Sequence, residues 1–218
     1  LLATIPLVAG CIANPFCHES VVVPQIRPVP DAAIQLQPQY TFPFQDTTIS
    51  ISLPLNASVY AGAKAADKGV IIYGNVSEEE WVAESYTAMM SDPAQDEFYD
   101  DLREELRSIR KDLSLSDDEY VELLIVFVQS IPYENQNLTS PRFPVETFVD
   151  GMGDCDDKSL LLAGLLSHEG YRAALLYFES ERHMAVGVGC PDGGYRNTGY
   201  AYIETTNVSL VGIPPDTL

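Results

Sequence analysis

The segment DGMGDCDDKSLLLAGLL, Asp150 to Leu166, sets one cysteine among aspartates where a glycine-containing turn meets an apolar run. A cysteine is nucleophilic as its thiolate, and the flanking carboxylates of Asp154, Asp156 and Asp157 oppose that ionisation. The local pattern offsets them. Gly151 and Gly153 permit a tight turn, Asp154 is a good N-cap with Asp157 three residues on, and Cys155 falls at the first helical position. Free backbone N–H groups and the partial positive charge of a helix N-terminus lower a thiol pKa and can hold an oxyanion. Asp156 and Asp157 are expected to spend their charge on those N–H groups and on Lys158, so neither need point at the sulfur. Downstream, His183 opens the alternating stretch HMAVGVG, and Glu204 lies in YAYIETT on a common face with Tyr200, Tyr202 and Thr206. The turn-rich CPDGGYRNTG between them makes a hairpin the simplest connection, which sets an imidazole beside a carboxylate.

The rest of the chain must hold these residues in place. The cysteine helix is expected from Lys158 to Glu169, with Gly170 as its stop, and is too apolar to be a surface helix. YRAALLYF, Tyr171 to Phe178, reads as a buried strand. Upstream, TTISISLPL alternates Ile49, Ile51 and Leu53 against Thr48, Ser50 and Ser52, the period of a half-buried strand, and Val70 to Gly74 reads as a second. Ser77 with Glu80 and Ser116 with Glu119 are capping-box signatures opening two helices, the first an ordinary surface-docked one. Between them Phe98, Leu102, Leu106, Ile109 and Leu113 mark one apolar stripe, with Asp100/Arg103 and Glu104/Arg107 neighbours on the wet side. The second capped helix is apolar on all sides from Leu123 to Val128, so it belongs in the interior, and Pro132 ends it.

The order Gly-Asp-Cys at a buried helix start, a histidine opening a strand and an acid on the next strand resembles the transglutaminase-like superfamily, a branch of the papain-like cysteine enzymes. FVQSIPY (Phe127 to Tyr133), FPVETFVDGMGDCDDKSLLLAGLL (Phe143 to Leu166) and HMAVGV are most similar to uncharacterised archaeal proteins of that type. The likeness spans Tyr40 to Thr206, with its specific part from Phe127 onward. It implies an α+β fold, a papain-like/transglutaminase-like core with the nucleophile helix packed on an antiparallel sheet. It also implies a catalytic set of Cys155 as nucleophile, His183 as base and Glu204 as orienting acid, where many relatives carry aspartate. The 28 residues from Cys155 to His183 leave room for the helix and one strand, and the 21 to Glu204 fit a hairpin. The chemistry would be acyl transfer on a protein or peptide substrate through a thiolate–imidazolium pair and a thioester, without a cofactor. The Cys155 N–H, with Gln129 or Tyr133, would hold the oxyanion. Water as acceptor gives a protease or amidase, favoured here, and a lysine amine a crosslinker. The alternative is a catalytically silent envelope-binding or assembly module on the same fold. Taken singly, a buried cysteine is more often packing and a strand histidine structural; their joint order singles them out.

Other readings of these residues fail. A calcium loop beginning at Asp154 wants glycine sixth and glutamate twelfth, where Ser159 and Leu165 stand. One cysteine and one distant histidine make a weak zinc set, so no metal site is expected. His168, near the helix end, reads as a surface residue.

Composition places the chain in its surroundings. The 218 residues suffice for one sizeable core with a smaller attachment, and 46% apolar content excludes a disordered chain. A net charge of −20 repels nucleic acid and anionic membrane surfaces. Sequons at Asn56, Asn75, Asn137 and Asn207 suggest an exported glycoprotein, and LVAGC at Leu7 to Cys11 resembles a lipobox with Cys11 as the lipidated residue. The other reading of that stretch is the tail of an ordinary signal or anchor; both point to the outer face of the cell membrane or envelope, held by an N-terminal anchor or lipid. If Cys155 is free and Cys11 lipidated, Cys17 and Cys190 remain to pair, against a rival Cys11–Cys17 loop. The expected organisation is therefore a signal or lipobox-like segment (1–11), an extended proline-rich tether (12–39), an N-terminal β segment (40–76), a helical subdomain (77–135) and a catalytic core (136–218). A complete sheet would need further strands, or an anchor, beyond residue 218.

Overall fold

The computed structural model describes residues 2–6, 21–30, 35–134, 140–215 and 218, the first of these stretches by its backbone alone. Its strands in chain order are β1 (Leu2–Pro6), β2 (Val21–Val22), β3 (Gln35–Leu36), β4 (Gln39–Phe44), β5 (Thr47–Ser52), β6 (Leu55–Asn56), β7 (Ile71–Ile72), β8 (Ala173–Phe178), β9 (His183–Gly189) and β10 (Tyr200–Ile203). Its helices are α1 (Ala57–Ala65), α2 (Glu78–Met90), α3 (Asp96–Leu113), α4 (Asp117–Ser130), α5 (Pro144–Asp150) and α6 (Cys155–His168). The mixture of helices with small antiparallel sheets is an α+β arrangement. Its largest sheet runs β1-β8-β9-β10, antiparallel throughout, and among the described residues three two-stranded pairs (β2-β7, β3-β6, β4-β5) form separately from it.

Helix α6 lies at the centre. Leu160, Leu161, Leu162, Ala163, Leu165 and Leu166 are all fully buried, against β8 and β9 on one side and α2 to α5 on the others. A helix apolar all round can only be stable with neighbours on every side. Gly164 is part of that fit: a Cβ there would lie 2.0 Å from the hydroxyl of the buried Tyr99 of α3. His168 is half-buried, not a surface residue, because its ring stacks on Tyr99 at 4.2 Å.

Local chemistry explains most element ends. Ser77, Ser116 and Asp154 cap α2, α4 and α6 with reciprocal capping boxes. The α4 interior is buried from Leu123 to Ile125 and at Phe127 and Val128. In α3 the stripe is buried through Leu106, then fades to an exposed Leu113. Arg103 pairs with Asp100 as expected; Arg107 instead reaches across to Glu169 at 2.8 Å, beyond the end of α6. In β5, Ile49 and Ile51 point inward and Thr48, Ser50 and Ser52 outward.

Two helices, α1 and α5, lie where the sequence pattern marks none. Asn56 caps α1 through a bond from the Ser58 N–H, and α5 starts with Pro144 and ends at Gly151, whose φ of 67° is the left-handed C-cap. The described part of the tether is extended, as its prolines require, and docked instead of free. Val21–Val22 pairs with β7, Val29 N–H donates to Ser58 O, and Ile26 N–H donates to Asp92 Oδ2. Gly62 makes this docking possible, since a Cβ would sit 2.3 Å from Arg27 O. Leu2–Pro6, within the signal-like stretch, pairs with β8. Among the described residues no helix is long and apolar enough to cross a membrane.

Candidate functional site

Cys155 is the first residue of α6, and its position follows from a closely tied loop. Gly153 N–H donates to Pro132 O and Glu134 N–H to Gly153 O, which lays the segment after α4 alongside the turn. The Asp154 side chain accepts from the N–H groups of Asp156 and Asp157, and Asp157 Oδ2 accepts from the Asp154 N–H. Asp157 is itself locked by Arg142, whose backbone N–H donates at 2.6 Å and whose Nη1 donates at 2.8 Å. Among the described residues the Cys155 N–H has no acceptor, which leaves it available to an oxyanion.

The hairpin of β9 and β10 brings His183 and Glu204 together as expected, with Nε2 to Oε2 at 3.1 Å. Glu204 is 4% exposed and heavily bonded. Tyr202 Oη donates to Oε2 at 2.7 Å, while the N–H groups of Thr205 and Thr206 and the Thr206 hydroxyl donate to Oε1. Burial alone would raise its pKa; the hydrogen bonds from His183, Thr206 and Tyr202 overcome that and bring it down to about 2. Tyr202 and Thr206, through these bonds, are therefore part of the site; β10 ends at Ile203, so Glu204 and Thr206 lie just past the strand and not on its face. Because Glu204 engages Nε2, the imidazole nitrogen left uncommitted is Nδ1.

The sulfur departs from expectation. Cys155 Sγ donates to Asp156 Oδ1 at 3.4 Å, and no hydrogen bond joins it to His183 among the described residues. Burial and then the Asp156 charge push the thiol up to about 12, outweighing a backbone hydrogen bond at Met184 that favours the thiolate. The resting group is thus a thiol rather than half of a preformed ion pair. Asp157 is spent as expected, but Asp156 faces the sulfur, its other oxygen accepting from Tyr86 Oη of α2 at 2.7 Å. Lys158 does not neutralise the aspartates. Fully buried, it donates to Gln129 O and Ile131 O at the C-terminal end of α4, and burial lowers its pKa to about 8.

The oxyanion candidates separate. Gln129 Nε2 donates to Glu204 O and Ser209 O, which leaves it no donor for an oxyanion; it ties α4 to the end of the hairpin instead. Tyr133 is half exposed, and burial and the nearby Cys155 raise its phenol pKa, so it stays a donor at neutral pH. Ser159, one turn after Cys155, bonds Met184 O and Thr205 Oγ1 and fixes α6 against both strands.

The remaining candidates are scattered. Asn56, Asn75 and Asn207 are exposed, and Asn137 lies outside the described residues. Cys190 is a free thiol in the turn after β9; Cys17 and Cys11 lie outside the described residues. No group of His, Cys, Asp and Glu among the described residues could hold a metal ion.

No family model, curated protein or solved structure matches this chain.

Proposed function

We propose that the chain is an extracytoplasmic thiol acyl-transfer enzyme on a transglutaminase-like, papain-like core. It acts on amide or peptide bonds of a protein substrate, with water as the favoured acceptor. The observation that carries this reading is the His183–Glu204 pair, the histidine opening β9 and the acid just past the end of β10, with the acid held by four further donors and Nδ1 left uncommitted. A carboxylate so bound fixes the tautomer of the ring and stabilises the imidazolium that forms.

With the thiol protonated at rest, His183 works as a general base during attack. Nδ1 takes the thiol proton as the sulfur bonds to the carbonyl carbon, and the carbonyl electron pair moves to oxygen, facing the Cys155 N–H and Tyr133. Collapse expels the amine with the proton from His183 and leaves a thioester, which water opens by the same steps in reverse roles. The N-terminal segment would hold the protein at the outer face of the membrane, with sequons exposed to glycosylation, and nucleic acid is no partner of a chain at −20.

A second reading, the silent binding or assembly module, is favoured by one observation: the sulfur is bonded to Asp156 rather than to His183. Release of p-nitrophenolate from p-nitrophenyl acetate separates the two. Turnover abolished in Cys155→Ala and reduced at least about a hundredfold in His183→Ala supports the enzyme; release equal to that of Cys155→Ala supports the module.

A further inference from the structure

Asp156 has no task in the mechanism above, and its placement is costly for it. Its Oδ1 lies 3.4 Å from the nucleophilic sulfur, where a negative charge opposes the thiolate the reaction must pass through. It is not consumed in capping, which Asp154 and Asp157 perform. Nor does a lysine or arginine neutralise it: among the described residues Arg142 is taken by Glu134, Asp150 and Asp157, and Lys158 by carbonyls of α4. Among the described residues the titratable groups that face it are Tyr86 from α2, Tyr133 after α4, the N-cap Asp154 with Cys155 and Asp157 of α6, His183 from β9 and Tyr177 from β8, so histidine is the one cationic type among them. Tyr86 fixes its second oxygen at 2.7 Å, which holds the carboxylate at the sulfur. Asp156 and Cys155 are both only partly buried, and exposed Tyr133 and Met152 flank the same loop, so a substrate group can approach them.

Resting on the acyl-transfer reading of Cys155, we infer that Asp156 is the specificity-determining residue of the site and receives a substrate cation, an ammonium or guanidinium group. The cation neutralises the carboxylate at the moment the carbonyl is in place. Without it, Asp156 keeps the sulfur protonated and unreactive; with it, the opposition to the thiolate is removed and His183 can take the proton. Activation of the nucleophile is thereby tied to arrival of the right substrate. The cation can reside beside the scissile carbonyl of the acyl donor or on an amine acceptor.

The test uses two reagents of nearly the same shape that differ in charge, neutral n-propyl methanethiosulfonate and cationic 2-aminoethyl methanethiosulfonate. In both, the Cys155 thiolate attacks the sulfenyl sulfur, an S–S bond forms, methanesulfinate leaves with the bonding pair, and the thiol proton passes to solvent. Peptide mass spectrometry follows Cys155 and Cys190 in the same wild-type chain, Cys190 reporting the general pull of the acidic surface. The cationic-to-neutral rate ratio at Cys155 is expected to exceed that at Cys190 by about tenfold or more. Asp156→Asn is expected to accelerate the neutral reagent at Cys155 and bring the ratio down to the Cys190 value. Equal ratios at the two cysteines of the wild type overturn the inference, and that comparison needs no variant to fold. Selectivity without hydrolysis of p-nitrophenyl acetate upholds the cation site and removes the acyl-transfer reading; hydrolysis with equal ratios does the opposite. Faster turnover of a lysine-type ester than of its neutral isostere assigns the cation to the donor, and preferential transfer to an added amine over water assigns it to the acceptor.

Discussion

Replacing Glu204 with glutamine tests the electrostatics of the site against a worked magnitude. Glutamine keeps the shape and removes the charge that the Thr205 and Thr206 N–H groups, two hydroxyls and His183 address. A carboxyl whose pKa is 4.5 when free and about 2 in the folded chain stabilises the fold while it is ionised. At about 1.4 kcal/mol per pH unit the difference is worth about 3 kcal/mol at pH 7. Because the folded value is depressed, this stability is present above pH 4.5 and is lost as the pH falls through about 2. Integrating the two titrations leaves about half of it at pH 3. Urea unfolding of wild type and Glu204→Gln is therefore expected to show a gap of about 3 kcal/mol at pH 7 that narrows to about 1.5 kcal/mol at pH 3. A gap under about 1 kcal/mol at pH 7, or one that does not change with pH, would refute the reasoning.

Other consequences can be checked with similar means. Gly164→Ala would gain helix propensity but drives a methyl into the Tyr99 ring, so the melting temperature should fall, with a net loss of about 1–3 kcal/mol. Ser116→Ala removes one half of the α4 capping box and should cost about 1 kcal/mol in urea unfolding, with no change in m. Iodoacetamide alkylation of Cys155 should keep accelerating well beyond pH 9, as a thiol raised to about 12 requires, where a free-cysteine peptide levels off; a plateau below pH 8 would show a thiolate at rest.

The parts of this molecule that were legible in its sequence are those decided within one turn or one strand. Ser77, Ser116 and Asp154 announce helix starts because the bonds they make reach only three residues along the chain. The β9–β10 hairpin follows from alternation around a turn, so the pairing of His183 with Glu204 is readable in the sequence. What depends on long-range packing was hidden. The α1 sequence, ASVYAGAKA, has no strong apolar stripe and is fixed by Arg27 lying over Gly62. The tether has the composition of a linker, yet distant partners at Ile71–Ile72, Ser58 and Asp92 absorb its backbone groups. Likewise, the spacing of Asp156 and Asp157 says that both sit in the first turn of α6. It does not say which of them meets Arg142 and which meets Tyr86, and that choice decides the charge at the sulfur.

The central step is acylation of Cys155 with His183 as its base. Intact mass spectrometry of protein quenched in acid during reaction with p-nitrophenyl acetate tests this directly. One acetyl group on Cys155 in the wild type, absent in Cys155→Ala and strongly diminished in His183→Ala, is the predicted result. Acetylation that is missing from Cys155, or that survives unchanged in His183→Ala, would contradict it.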